Sequence, residues 1–160
     1  VTVTLADGTP IGNYVAADSE LRISTSSTTA NTYVTVDGEA VGTPADGSAK
    51  GTYTIDSLDA DVTISETVLN VIHFDADDLT VTAVDGGGVL SDGALVKDNA
   101  QINVKPTSAN AFIALTNAND RHSNSAGSSP VTVSAETWLY AASQVTYTQG
   151  PSTTQIDSVT

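Results

Sequence analysis

Apolar and polar residues alternate one for one along much of this chain, a period of two that suits an extended strand with one face buried. Val1, Val3 and Leu5 alternate with Thr2 and Thr4, and Leu21 and Ile23 alternate with Glu20, Arg22 and Ser24. The pattern returns at Tyr33-Val34-Thr35-Val36, at Tyr53-Thr54-Ile55 and at Asp61-Val62-Thr63-Ile64. Asp37-Gly38 follows one such run and precedes Glu39-Ala40-Val41. An Asp-Gly pair in that place predicts a hairpin, because a type I′ turn needs positive φ at both central residues. Threonine at the outward positions fits a pleated, solvated face. No stretch keeps a 3.6-residue stripe over three turns. Residues 134–142 come nearest, with Ser134 placed to cap. They lie between Val131-Thr132-Val133 and Val145-Thr146-Tyr147 and read as either a strand or a single turn. The fold class is all-β.

Composition then removes whole classes of function. Nineteen acidic residues face five basic ones, a formal charge of −14. Nothing here neutralises a run of phosphates or holds an anionic membrane surface, so no nucleic-acid partner is expected. No apolar run approaches the length of a membrane-spanning helix. The chain has no Cys, which removes disulfides, zinc–thiolate sites and cysteine nucleophiles together. It has no Met either, so Val1 is read as the start of a processed product or of an excised piece. With 24 threonines and 17 serines, the composition suits a chain exposed to solvent, oxidants and proteases.

The chain also repeats itself. Val1-Thr2-Val3-Thr4 resembles Leu79-Thr80-Val81-Thr82, and Asp-Gly pairs follow each, at Asp7-Gly8 and Asp85-Gly86. Glu20-Leu21-Arg22-Ile23 matches Gln101-Ile102-Asn103-Val104, and Asp61-Val62-Thr63-Ile64 matches Gln144-Val145-Thr146-Tyr147. The offset drifts from 78 to 83 residues, as loop insertions would make it. The expected organisation is a first module over 1–70, an acidic junction over 71–78, a second module over 79–148 and a polar linker or arm over 149–160. Short strands with frequent turn signals point to β-sandwiches. Modules this small have thin cores and gain from neighbours or assembly.

The run Tyr33-Val34-Thr35-Val36-Asp37-Gly38, then Gly51-Thr52-Tyr53-Thr54-Ile55 and Asp61-Val62-Thr63-Ile64, resembles bacterial immunoglobulin-like repeats. These stand in tandem in cell-surface proteins, and related modules occur in phage tail and capsid proteins. The likeness is fuller over 1–65 than over 79–148, where a polar loop from 116 to 130 replaces the Asp-Gly hairpin. The resemblance implies two tandem immunoglobulin-like antiparallel sandwiches with a structural or adhesive role outside the cytoplasm. It brings no catalytic residues.

Several clusters invite a chemical role. Asp75, Asp77 and Asp78 fall at the expected junction, near in kind to Asp56, Asp59 and Asp61, and carboxylates between modules can hold calcium. Their spacing is not that of an EF-hand, and a solvated acidic linker is the plainer reading. The glycines after Asp85 lack a following helix and a P-loop Lys, so they read as a structural turn. Asp120, Arg121, His122 and Ser123 share a long loop, but adjacent residues seldom form a triad, and no Gly-x-Ser-x-Gly elbow is present. His73 stands beside Phe74 in an apolar stretch. Trp138 and Tyr140 share one face of a strand, either as core or as a platform for sugars.

No cofactor is expected beyond calcium, and no enzymatic activity. The leading expectation is a structural module of an extracellular assembly, a surface fibre or virion component whose partners are copies of itself or other structural subunits. The uncharged stretch of Val1, Val3 and Leu5 suits strand exchange between subunits. The alternative is an adhesin or carbohydrate-binding module of a cell surface, using the 116–129 loop or Trp138 and Tyr140 on a host surface or glycan.

Overall fold

The computed structural model describes residues 1–84, 87–116 and 129–143. Among the described residues there are twelve strands and no helix. Residues 134–142, open between strand and turn from sequence, lie mostly in a strand. The chain divides into two compact units, Val1–Leu69 and Asn70–Thr160.

The first unit is built from β1 (Thr2–Leu5), β2 (Leu21–Ser24), β3 (Thr32–Val36), β4 (Glu39–Val41), β5 (Thr52–Ile55) and residues 64–68 of β6 (Ile64–His73). One antiparallel sheet has the order β1-β2-β5, with Leu5 opposite Leu21 and Leu21 opposite Ile55. In the other, β3 lies between β4 and β6. Asp37 and Gly38 turn the chain at φ of 51° and 87°, the positive values that an Asp-Gly hairpin supplies. The Asp37 carboxylate also accepts the Thr63 N–H at 2.8 Å, which fixes the approach to β6. Leu21, Ile23 and Val34 form the buried core. Ten apolar neighbours, Val3, Ile11 and Ile64 among them, are only half covered.

Threonine does not simply face water. Thr25, Thr32 and Thr35 are buried. Thr35 meets Ser65 across the β3–β6 ladder, hydroxyl to hydroxyl at 2.6 Å. The Thr25 hydroxyl donates to the Ser27 carbonyl and accepts the N–H of buried Gly51 at 3.1 Å. Each buried hydroxyl is satisfied, which removes the cost that would otherwise push it outward.

In the second unit, β7 (Leu79–Ala83), β9 (Ala100–Pro106) and β11 (Ser129–Val133) form an antiparallel sheet with β9 central. Val81 lies opposite Val104, and Ile102 opposite Val131. The facing sheet pairs β10 (Ala111–Leu115) with β12 (Thr137–Ser143), while β8 is the short strand Leu95–Lys97. On the other side of β12 run residues 72–73 of β6 in parallel, which puts Ile72 opposite Thr137 and His73 opposite Trp138. The core is larger here, with eleven buried residues that include Ile72, Phe74, Ile113 and Leu139. Each such side chain contributes about 1.5–3 kcal/mol by leaving water.

Candidate functional site

Period-two geometry on β12 sends Leu139 into the core and leaves its neighbours for the surface. Trp138 is 40% exposed. Its ring does not float free. The parallel pairing of Trp138 with His73 brings the two rings together, with centroids 4.9 Å apart and planes 22° from parallel.

His73 is itself held from two sides. Its Nε2 lies 2.8 Å from Glu136 Oε1, and its Nδ1 lies 3.8 Å from Asp92 Oδ1. Asp92 is held in turn, because the same oxygen accepts the Phe74 N–H at 3.0 Å. The turn that carries Asp92 is pinned to β6. Gly93 N–H donates to the Ile72 carbonyl, and Ile72 N–H donates to the Ala94 carbonyl. A ladder of contacts thus runs from a β6-anchored turn to a carboxylate, to an imidazole, to an indole.

The indole borders a groove of about 440 Å³, whose lining includes Tyr140, Asp75, Asp78 and Asp92. Asp75 and Asp78 come from the tight turn before β7. Asp75 Oδ1 accepts the Asp77 N–H at 2.9 Å, and the Asp75 carbonyl accepts the N–H groups of Asp78 and Leu79. The Thr107 hydroxyl bonds to the carbonyls of Asp77 and Asp78 from the end of β9. No Lys or Arg lines the groove among the described residues.

The residues singled out from sequence fall in different places. Trp138 and Tyr140 line this groove together, with Asp75 and Asp78. Asp75, Asp77 and Asp78 are not brought together as ligands. Among the described residues no group of three His, Cys, Asp or Glu side chains is placed to hold a metal ion. Val1, Val3 and Leu5 belong to the first unit, where Val3 and Leu5 pack on its core and β1 bonds to β2. Val1 and Val3 border a second groove there, of about 630 Å³, with Ile11, Val15, Leu21 and Ile64 on its other walls. Near β1, Glu66 accepts the N–H and hydroxyl of Ser26. Desolvation pushes that carboxyl up, but these bonds and the Val1 ammonium outweigh it and hold it below the usual range.

Asp120, Arg121, His122, Ser123, the Asp85-Gly86 turn, the stretch 144–147 and the arm 149–160 lie outside the described residues. His73, Asp92 and Glu136 are the side chains of this candidate site that sequence reasoning did not assemble. His73 was legible only as a residue beside Phe74 in an apolar stretch, and the parallel pairing that joins it to Trp138 has no local signal. No family model matches this chain, and no curated protein or solved structure matches it either.

Proposed function

We propose that this protein is a non-enzymatic structural subunit of an extracellular assembly, a surface fibre or virion component, joined to its neighbours by strand addition. Its two units are read as tandem immunoglobulin-like modules. The strand orders support that reading. β1-β2-β5 in the first unit corresponds to β7-β9-β11 in the second, and β3 with residues 64–68 of β6 corresponds to β10 with β12. The match agrees with the sequence repeat at β2, where Leu21 and Ile23 answer to Ile102 and Val104, but sets β6 against β12 where the repeat sets 61–64 against 144–147.

One observation carries the assembly reading. In the second unit, β12 has a strand on both sides, β10 and residues 72–73 of β6. In the first unit, residues 64–68 of β6 have β3 as their only strand partner within that unit, among the described residues. Thr63 and Leu69 both bond toward the β3 side, so by alternation Ile64, Glu66 and Val68 direct their N–H and C=O groups to the edge away from β3. The 630 Å³ groove, walled by Val3, Ile11, Val15 and Ile64 together with Asn13 and Asp61, opens in the same unit, beside a core with only three buried residues. An incoming strand would bond to the edge and set alternate side chains into the groove.

Light scattering behind size-exclusion chromatography tests this. The wild-type chain should run well above its 16.3 kDa mass. Glu66→Pro, which deletes an outward N–H and leaves the β3 ladder intact, should run as a monomer. Glu66→Ala keeps the N–H and should stay assembled. A monomeric wild type at high micromolar concentration, or an assembled Glu66→Pro, overturns the proposal.

A further inference from the structure

We propose that the groove beside Trp138 binds an organic cation, the guanidinium or ammonium group of a basic side chain presented by a different protein. This inference is independent of strand addition, since it rests on the second unit alone.

Preorganisation is the first argument. An exposed indole held by nothing would sample several rotamers, and a ligand would have to order it at a cost. Here His73 backs one side of the ring, and Glu136 and Asp92 hold His73. Such a supporting shell behind a partly exposed aromatic is what a binding platform requires.

Charge is the second argument, and it selects the ligand. Asp75, Asp78 and Asp92 line the groove, and Glu136 adds a fourth carboxylate through His73. Among the described lining residues His73 is the one basic side chain, already engaged by Glu136 and Asp92, and no Lys or Arg joins it. An anion is repelled. A neutral sugar can stack on the indole but leaves the carboxylates without a counter-charge. A guanidinium satisfies both features, lying over the electron-rich face of Trp138 while donating to the aspartates.

Composition indicates where the cation comes from. This chain has five basic residues against nineteen acidic ones, so a second copy is a poor source. A basic segment of another protein fits the field that the groove projects.

Trp138 is the only tryptophan in the chain, so its fluorescence reports on this groove alone. The probe is a short acetylated, amidated peptide with one central arginine, compared with the same peptide carrying citrulline, which keeps the shape and loses the charge. The arginine peptide should change Trp138 emission saturably, and the citrulline peptide should bind about fivefold more weakly or worse. Raising salt from low to about 0.5 M should weaken the arginine peptide further. Asp78→Asn should cost about two- to fivefold, and the Asp78→Asn, Asp92→Asn pair more. Far-UV circular dichroism confirms that each variant is folded. Equal binding of the two peptides overturns the proposal. So does a neutral oligosaccharide that perturbs Trp138 when the arginine peptide does not. A change in oligomeric mass on Asp78→Asn overturns it too, since the occupant would then be a second copy.

Discussion

Gly51 is enclosed by backbone on several sides, and replacing it by alanine tests the packing of the first unit directly. It is a buried residue at the start of β5, and its backbone is bonded both ways to Thr25. Gly51 N–H donates to the Thr25 hydroxyl, and Thr25 N–H donates to the Gly51 carbonyl at 2.9 Å. A Cβ there would stand 2.7 Å from the Thr43 carbonyl oxygen, 2.9 Å from that of Thr32 and 3.0 Å from the Ala45 nitrogen. All three are backbone atoms, so no side chain can swing aside. Relief requires moving the Thr43–Thr52 bridge or the Thr32–Ala45 hydrogen bond. Overpacking of this kind costs about 1–3 kcal/mol, and a backbone-only cage belongs at the upper end. Alanine gives back about 0.4–1 kcal/mol by narrowing the unfolded ensemble. The net expectation is about 2 kcal/mol of destabilisation, which for a unit this size lowers the melting temperature by roughly 8–16 °C. Far-UV circular dichroism is the assay, because it reports strand content directly, whereas the single Trp138 lies in the other unit. Gly12→Ala is the control, since nothing lies within 4 Å of a Cβ built there. If Gly51→Ala and Gly12→Ala melt within a degree or two of each other, the crossing at Gly51 is looser than these distances say.

Three further expectations bear on the turn, the carboxylate and the groove. Asp37→Ala removes the acceptor of the Thr63 N–H and places alanine at φ 51°, so it should cost about 1–2 kcal/mol in urea denaturation. A loss under a few tenths would mean the hairpin forms without it. Because the Glu66 carboxyl is held below its ordinary value of 4.5, its contribution is complete above that pH and is lost as pH falls through the lower folded value. Glu66→Gln should therefore flatten the acid side of the stability curve, and an unchanged slope would show the Ser26 bonds do not couple to folding. Finally, with each quencher normalised to its effect on free N-acetyltryptophanamide, caesium should quench Trp138 about two- to threefold more efficiently than iodide, because the carboxylates concentrate cations and repel anions. The reverse order would deny the groove its negative potential.

Local pattern settled the strands. The alternation in 1–5, 21–24 and 53–55 was enough to place β1, β2 and β5, and Asp37-Gly38 was enough to turn β3 into β4. Each is a property of a few adjacent residues, because side-chain direction in a strand and φ in a turn are set by nearest neighbours. The same local view placed Trp138 and Tyr140 together on one face. It did not settle whether that face was core or surface, because burial depends on what packs above it. Nor did it find the burial of Thr25, Thr32 and Thr35: their hydroxyls are satisfied by the Ser27 and Thr29 carbonyls nearby and by distant Ser65, but what covers them comes from elsewhere in the chain.

The tertiary structure decided which strands meet. His73 and Trp138 stand 65 residues apart, and only the parallel pairing of β6 with β12 stacks them. Asp92 and Glu136 then converge on one imidazole from a turn and from the lead into β12. Asp75, Asp77 and Asp78, alike in sequence, were given different tasks by a single tight turn that commits Asp75 to its own backbone. Alternation and turn chemistry are short-range and are written along the chain. The groove is a product of strand pairing, and pairing is a choice among many edges that only the whole fold makes.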